Sequence, residues 1–495
     1  MTKETHGESS SSPKESLVIK YFKDFAVLKE TRREYWGIQI INMLDCLAYF
    51  ALLNIIVVML SDDYGYSDKE AGYVFTVFTS LTTICLVFFG LVTDKLGVKN
   101  ATYLAMAGYT VARADLLIAA YMEPGMLRHV MVVGGLILMA PCMAMVQTIF
   151  QSANRRFTTK KSRGAGFNLW YLFMNVGAAG GGFIIDILYK EFGLPRFHVL
   201  TFALAMGVLC MAVNFLMIKN TGQLYGPGEE EEEEAGEQEK EVGLIGAAMA
   251  SIKEHGLDQA AKRFFRSPLW KLTVLIFLLL GVRCVFINLS IVAPKFWLRM
   301  IGDDASIGAL QAFNPVLVII GLILFIPLLH RFKIYNMLIF GALITALSMI
   351  FLVIPPAQGW DVAKFTYIMT ICFLLVLTIG ELIWSPRLQE YTASIAPKGQ
   401  EGTFLGLSMV PYFLGKTILA GVSGHMIARW CPEYPEGEAT VGERIAAGEV
   451  GYWDSPYAMW LILGAWALVG VLAAIYFRGW FTKDMADSKS EEAAA

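Results

Sequence analysis

Twelve long apolar stretches joined by polar connections leave this chain few folds to choose from. They run at approximately 36–60, 71–93, 99–122, 128–153, 164–188, 196–218, 268–294, 305–330, 334–355, 364–394, 401–428 and 456–479. Each is long enough to cross the hydrocarbon core of a bilayer, which takes ~20 apolar residues as a helix. Barrel strands are excluded, because they alternate apolar and polar residues over ~10 positions and these stretches are apolar throughout. A helix also satisfies its own backbone hydrogen bonds where no water can. Composition agrees: 56% of the residues are apolar and 17% charged, against ~45–50% and ~25% in soluble domains. The expected fold class is an all-α membrane protein of twelve transmembrane helices in two six-helix bundles.

The division into halves comes from an abrupt change of composition after span 6. Gly226-Pro227-Gly228 leads into an unbroken run from Glu229 to Glu234, and a polar stretch continues to Arg266. Glutamates that repel one another keep such a segment solvated, so a flexible linker is expected, with 243–266 as a short amphipathic helix on the inner membrane surface. The domain plan is a tail at 1–35, a first bundle at 36–218, a linker at 219–267, a second bundle at 268–480 and a tail at 481–495. Lys and Arg gather in the N-terminal tail and in alternate connections, most densely at Arg155, Arg156, Lys160, Lys161 and Arg163. That asymmetry predicts cytoplasmic termini. The N-terminal tail lacks the pattern of a cleavable signal peptide, and a multi-pass protein of a bacterial inner membrane is expected.

Several function classes lose support. A net charge of −3 gives nucleic acid no electrostatic purchase. Cys46, Cys85, Cys142, Cys210, Cys284 and Cys372 lie in apolar spans and only Cys431 in a polar connection, so neither a disulfide framework nor a metal cluster is suggested. Of the histidines only His425 is intramembrane, and no metal-ligand spacing occurs. The run from Gly177 to Gly182 has no following Lys-Ser/Thr and suits close helix packing rather than phosphate binding. The polar loops hold no nucleophile and base pairing, so no enzyme and no cofactor is expected. The expected partners are the lipid bilayer and a small-molecule substrate, with the chain a monomer.

Ionisable groups inside the apolar spans mark the candidate site. An Asp or Arg at the centre of such a helix costs ~2.5–3.5 kcal/mol on insertion scales, so these groups face a wet cavity or a partner. Asp45, Arg113, Asp115, Arg283, Glu381 and Lys416 qualify. Glu381 has two readings, a substrate or proton site, or a structural pair with Lys416. Asp45 and Arg283 come from spans 1 and 7, which would lie across a central cavity. Arg113 and Asp115 stand two apart and so point to different helix faces, which suits packing or gating. Tyr49, Trp170, Tyr171, Phe313 and Trp384 are cavity-lining or packing aromatics.

The turn between spans 2 and 3, Gly90-Leu91-Val92-Thr93-Asp94-Lys95-Leu96-Gly97-Val98-Lys99, resembles the signature of the major facilitator superfamily, Gly-x-x-x-Asp-Arg/Lys-x-Gly-x-Lys/Arg. Gly90 and Gly97 permit close helix approach and a sharp turn, and Asp94 with Lys95 would serve an inner gate. The second-half echo, Leu329-His330-Arg331-Phe332-Lys333, keeps the charge and loses the pattern.

Further stretches resemble the proton-coupled oligopeptide transporter family within it. These are Phe167 to Gly177, with Tyr171 and Asn175 in register; Gln311-Ala312-Phe313-Asn314-Pro315, like its Leu-Asn-Pro motif; and Gly380-Glu381-Leu382-Ile383-Trp384-Ser385-Pro386, like its Gly-Glu-Leu-x-x-Ser-Pro element. In span 1 the family's Glu-x-x-Glu-Arg-Phe-x-Tyr-Tyr corresponds to Asn42 through Phe50. One carboxylate remains as Asp45, and Cys46 stands where the family has arginine. The family's span-4 lysine has no counterpart among Pro141 to Gln147.

The resemblance implies a proton-coupled symporter for di- or tripeptides or peptide-like solutes. Asp45, Tyr49, Tyr171, Asn175, Arg283, Asn314, Glu381 and Lys416 would form its substrate and proton site, and Gly90, Asp94, Lys95 and Gly97 its gate. By carry-over Glu381 and Asn314 receive the ammonium end, and Lys416 with Arg283 would replace the missing cations. The alternatives are a superfamily transporter of an organic anion or drug, and a membrane sensor or scaffold that no longer transports.

Overall fold

The computed structural model describes residues 25–222, 224, 268–302, 305–329, 333–357, 359–395, 401–434 and 438–482. Residues 1–24 and 483–495 of the tails, the glutamate run and the stretch 243–266 lie outside the described residues. Every regular element among those described is helical. The N-terminal half comprises α1 (Arg33–Leu53), α2 (Ile56–Asp62), α3 (Asp68–Ala120), α4 (Met126–Arg156), α5 (Lys160–Asp186) and α6 (Val199–Met217). The C-terminal half comprises α7 (Pro268–Leu278), α8 (Leu280–Ile291), α9 (Ala293–Ile301), α10 (Ile307–Leu329), α11 (Ile334–Ser348), α12 (Ile350–Val353), α13 (Val362–Ile395), α14 (Glu401–Trp430), α15 (Val441–Ala446) and α16 (Pro456–Tyr476).

These helices occupy the places of the expected spans. Among the described residues, seven helical stretches, one of them α11 continued by α12, are long and apolar enough to cross a membrane, and α7 with α8, bent by 49°, makes up to an eighth. Spans 2 and 3 merge into α3, broken at Gly97, where φ is 72° and ψ is 158°. Glycine reaches that left-handed conformation at no steric cost, so the chain reverses there. The side chains at 87–95, with Gly90, Asp94 and Lys95 among them, lie outside the described residues, as does His330-Arg331-Phe332.

Lipid tails are as apolar as the helices, so the hydrophobic effect does not drive helix association; small residues that let backbones approach do. A Cβ on Gly177 would stand 2.6 Å from the Cys46 Cβ, and one on Gly181 2.7 Å from the Leu47 carbonyl, which seats α5 against α1. Gly341 packs α11 on α13, and Gly281 packs α8 on Ala467 of α16. The glycine run of span 5 is therefore a packing face, as its setting inside a span implied.

The two halves meet chiefly through α3 along α14 and α5 along α10. At the face opposite the starts of α1 and α5, the distal face, Gly72 lies against the backbone of Gly424, and a Cβ on Gly182 would reach the Gly308 carbonyl at 2.6 Å. Polar contacts cross the same seam: Ser290 Oγ donates to Asn54 Oδ1 at 2.8 Å, and Tyr73 Oη lies 2.8 Å from His425 Nε2. His425, the intramembrane histidine of the sequence, thus belongs to the contact between halves.

Candidate functional site

On α13, Thr378 and Glu381 stand one turn apart, so both face the same neighbouring helix. That neighbour is α10, where Asn314 Nδ2 donates to Glu381 Oε2 at 3.0 Å and to Thr378 Oγ1 at 2.8 Å. The Thr378 hydroxyl in turn donates to the Leu374 carbonyl at 2.7 Å, so it is committed as an acceptor toward Asn314. One turn beyond Glu381 lies Trp384, fully buried, with the Arg283 guanidinium carbon 4.4 Å from its ring centroid. Arg283 is within Coulombic range of Glu381. Pro386 lies inside α13 and removes the hydrogen bond that would engage the Leu382 carbonyl, which loosens the helix beside Glu381.

The N-terminal half faces this group with Tyr171 of α5. It packs on Val318, Leu322 and Leu382 and lies within electrostatic reach of both Glu381 and Arg283. Asn175 sits one turn on and donates to the Tyr171 carbonyl at 2.9 Å, on its own helix. Lys416 of α14 donates to Tyr49 Oη of α1 at 3.0 Å. The structure therefore brings Tyr171, Arg283, Asn314 and Glu381 together and joins Tyr49 to Lys416 across the seam.

Asp45 differs from the expectation of a group facing Arg283 across the cavity. It turns into its own half, where Arg113 Nη2 of α3 approaches its Oδ1 at 3.7 Å. Arg113 is almost fully enclosed, 1% exposed, donates to the Ala203 carbonyl of α6 at 3.0 Å, and stacks 4.5 Å from the Tyr109 centroid. A charge in a low-dielectric interior requires a partner close by, and α6, which packs on both α1 and α3, brings the two groups within reach. Tyr49, Tyr109, Arg113, Met139 and Met143 line one small cavity beside this pair. Asp115, two residues on, lies against Gly135 of α4, the different face that its spacing required.

Sequence reasoning missed Thr378, whose hydroxyl looks like any span-10 threonine, and it missed a charged cluster on the distal face. There Arg299 of α9 binds Asp68 with both arms, at 2.8 and 2.9 Å, and reaches Glu433 at 2.7 Å, while Lys295 contacts Asp68 and Ser61. Burial pushes the Asp68 carboxyl up, but the Arg299 hydrogen bonds and the Lys295 charge outweigh it and hold the carboxyl below its usual value. A depressed carboxylate stabilises the contact above its ordinary range and loses it only as pH falls through the lowered value. This bridge between halves therefore persists through neutral and mildly acidic pH. The one available signal was the Ser67-x-x-Glu70 capping box, formed in the structure, which marks a helix start at Asp68.

Close by, Asp63 behaves oppositely. Burial, with Asp62 beside it, pushes its carboxyl up to about 6 against the pull of Arg196 and Arg128. Asp62 pairs with Arg196 at 3.3 Å, and Arg128 donates to the Asp63 backbone carbonyl and stacks 5.6 Å from the Tyr64 centroid. A raised carboxylate favours the folded state when protonated, so stability falls as pH rises through about 6. Asp63→Asn should raise the melting temperature at pH 8 by roughly 2 °C and by about half as much at pH 5, because the stability is lost between the ordinary carboxylate value near ~4 and about 6. Thermal unfolding at both pH values checks this, and equal shifts at both would reject the assignment.

The Major Facilitator Superfamily model matches residues 39–420. No curated protein sequence matches the chain. Among solved structures, a single-residue variant of the peptide transporter POT in complex with sulfate superposes with a TM-score of 0.66 at 16% identity, covering 92% of this chain and 96% of its own. A structure described as giving insight into substrate recognition in proton dependent oligopeptide transporters gives 0.65 at 16%, covering 90% and 98%. A POT family transporter in complex with 5-aminolevulinic acid gives 0.65 at 14%, covering 91% and 97%. At such identities the likeness is one of fold.

Proposed function

The chain belongs to the major facilitator superfamily and is a transporter, and from that premise we propose that it is a proton-coupled symporter of di- or tripeptides or peptide-like small organic solutes. The observation that carries the reading is Glu381: an intramembrane carboxylate between the halves, bonded to Asn314, with Arg283 and Tyr171 in electrostatic reach. In a low-dielectric site a carboxylate holds its charge only while a cation faces it. A proton and a substrate ammonium group are two ways to neutralise Glu381, so the site can link their movements. Proton loading at Glu381 would release Arg283, and Lys416 with Tyr49 would report occupancy to the first half. Asp45 would take part through Arg113 rather than by touching substrate, and Asn175 by holding the Tyr171 backbone.

In this reading the two bundles rock about the midplane site. The distal face is the exterior, both termini are cytoplasmic, Gly90, Asp94, Lys95 and Gly97 form the inner gate, and the monomer is the transporting unit in a bacterial inner membrane. Protons are the coupling ion and no cofactor takes part. The likeness in fold to structures titled as peptide transporters and as a complex with 5-aminolevulinic acid supports small solutes bearing both an amine and a carboxylate.

A second reading is an organic-anion carrier, favoured by two intramembrane cations, Arg283 in electrostatic reach of Glu381 and Lys416 bonded to Tyr49. Uptake into proteoliposomes under an inward proton gradient separates the two. Labelled dipeptide should accumulate, with excess unlabelled dipeptide reducing it at least about tenfold and simple dicarboxylates leaving it unchanged. The reverse competition pattern would favour the anion carrier, and no accumulation of either would reject proton-driven symport.

A further inference from the structure

We propose that Asp186, at the C-terminal end of α5, is a latch that closes the distal face by capping the first turn of α10 in the opposite half. Its Oδ1 accepts from the Gly308 backbone N–H at 2.9 Å and its Oδ2 from that of Ala309 at 2.7 Å. The first-turn amides of a helix have no partner within the helix, and the partial positive charge gathered there favours a carboxylate. Other helices in this protein take their caps from adjacent residues: Ser67 caps α3, Thr159 caps α5 and Thr440 caps α15. In α10 the residue before the first turn, Ser306, has its hydroxyl accepting from Lys190 Nζ of the other half at 2.9 Å, and Asp186 supplies the cap across the seam.

The surrounding backbone is shaped for this contact. A Cβ on Gly308 would come within 2.8 Å of the Asp186 carboxyl carbon, and one on Gly182 within 2.9 Å of the Ala312 nitrogen. Glycine at both positions lets the two helices approach until the carboxylate reaches the amides. Separation of the halves at this face withdraws the cap and returns two amides and a carboxylate to water. The cap therefore exists in one arrangement of the bundles and not in the other, which biases the equilibrium toward distal closure. The latch rests on the alternating-access reading above, and it acts separately from the midplane site.

The test measures conformation in the substrate-free full chain, in nanodiscs, by the distance between spin labels at Met126→Cys and Trp453→Cys. These are exposed positions of the two halves on the distal face. In the otherwise unaltered protein the short distance should dominate. Asp186→Ala should raise the ratio of long to short distances by at least about tenfold, and Asp186→Asn should raise it less, because one carbonyl acceptor remains. Asp361→Ala is the control, since Asp361 caps its own helix by accepting from Lys364 N at 3.1 Å; it should leave the distribution unchanged. If Asp186→Ala does not fold, Asp186→Asn carries the test. Unchanged distances in a folded, monodisperse Asp186 variant, or an equal shift from Asp361→Ala, would overturn the latch. The expected distance shifts without proton-driven uptake by the parent protein would instead overturn the symport reading and leave the latch standing.

Discussion

Glu381→Gln should abolish proton-driven accumulation of substrate while leaving substrate exchange across the membrane. Glutamine keeps the shape of the side chain and an oxygen that can accept from Asn314 Nδ2, which now lies 3.0 Å from the carboxylate. It carries no charge at any pH, so the proton loses its place on the site and Arg283 loses the charge it faces. The imposed gradient then does no work on the substrate: accumulation under a pH gradient should fall at least about a hundredfold, because two orders of magnitude correspond to ~2.7 kcal/mol of lost coupling. Counterflow, which needs binding and rocking but no net proton movement, should persist. Paired measurements in the same liposomes check this. Accumulation at the level of the unaltered protein would remove Glu381 from the coupling mechanism, and loss of counterflow as well would make it a structural residue.

The second large effect is expected at Arg113. Arg113→Met leaves the Asp45 carboxylate buried without the guanidinium that stands 3.7 Å away, and frees the Ala203 carbonyl that Arg113 now satisfies. Removing one partner of a buried ion pair typically costs ~3–5 kcal/mol, whereas replacing both by neutral groups of similar volume is often close to neutral. Arg113→Met should therefore lower thermal stability sharply, and the double variant Asp45→Asn, Arg113→Met should recover most of the loss. Transport by the recovered double variant then separates packing from function. Uptake near normal makes the pair a structural device of the first half, and stable protein without coupled uptake makes it part of the coupling mechanism. A single Arg113→Met variant as stable as the parent would show that the pair does not hold the bundle together.

Part of the candidate site was legible in the sequence, for a reason visible at particular residues. Glu381 and Arg283 stand out because an ionisable group in an apolar span is costly, so each announces a partner or a wet surface. The Asn314-Pro315 and Gly380-Glu381 stretches then marked α10 and α13 as helices that contribute to the candidate site. The partners themselves were not legible. Asp45 is as well explained by a cation from span 7 as by one from span 3, and only the packing of α6 on both α1 and α3 selects Arg113. Asn175 matches a family motif, yet its amide is spent on the Tyr171 carbonyl of its own helix. Asp186, Asp68, Lys295 and Arg299 sit at span ends, where charges are common and cost little, so nothing in their local sequence separates them from solvated loop residues.

By itself the sequence determined that this chain crosses a membrane as helices, and which few side chains are too costly to be there without purpose. Those properties depend on local composition and length, since insertion into lipid is decided segment by segment. The tertiary structure alone decided which charges neutralise which, where the halves touch, and that the cap of one helix comes from the other half. Those properties depend on which helix faces lie within hydrogen-bond distance, roughly 3 Å, and residues more than a hundred positions apart in the chain meet that condition only after the bundles have packed.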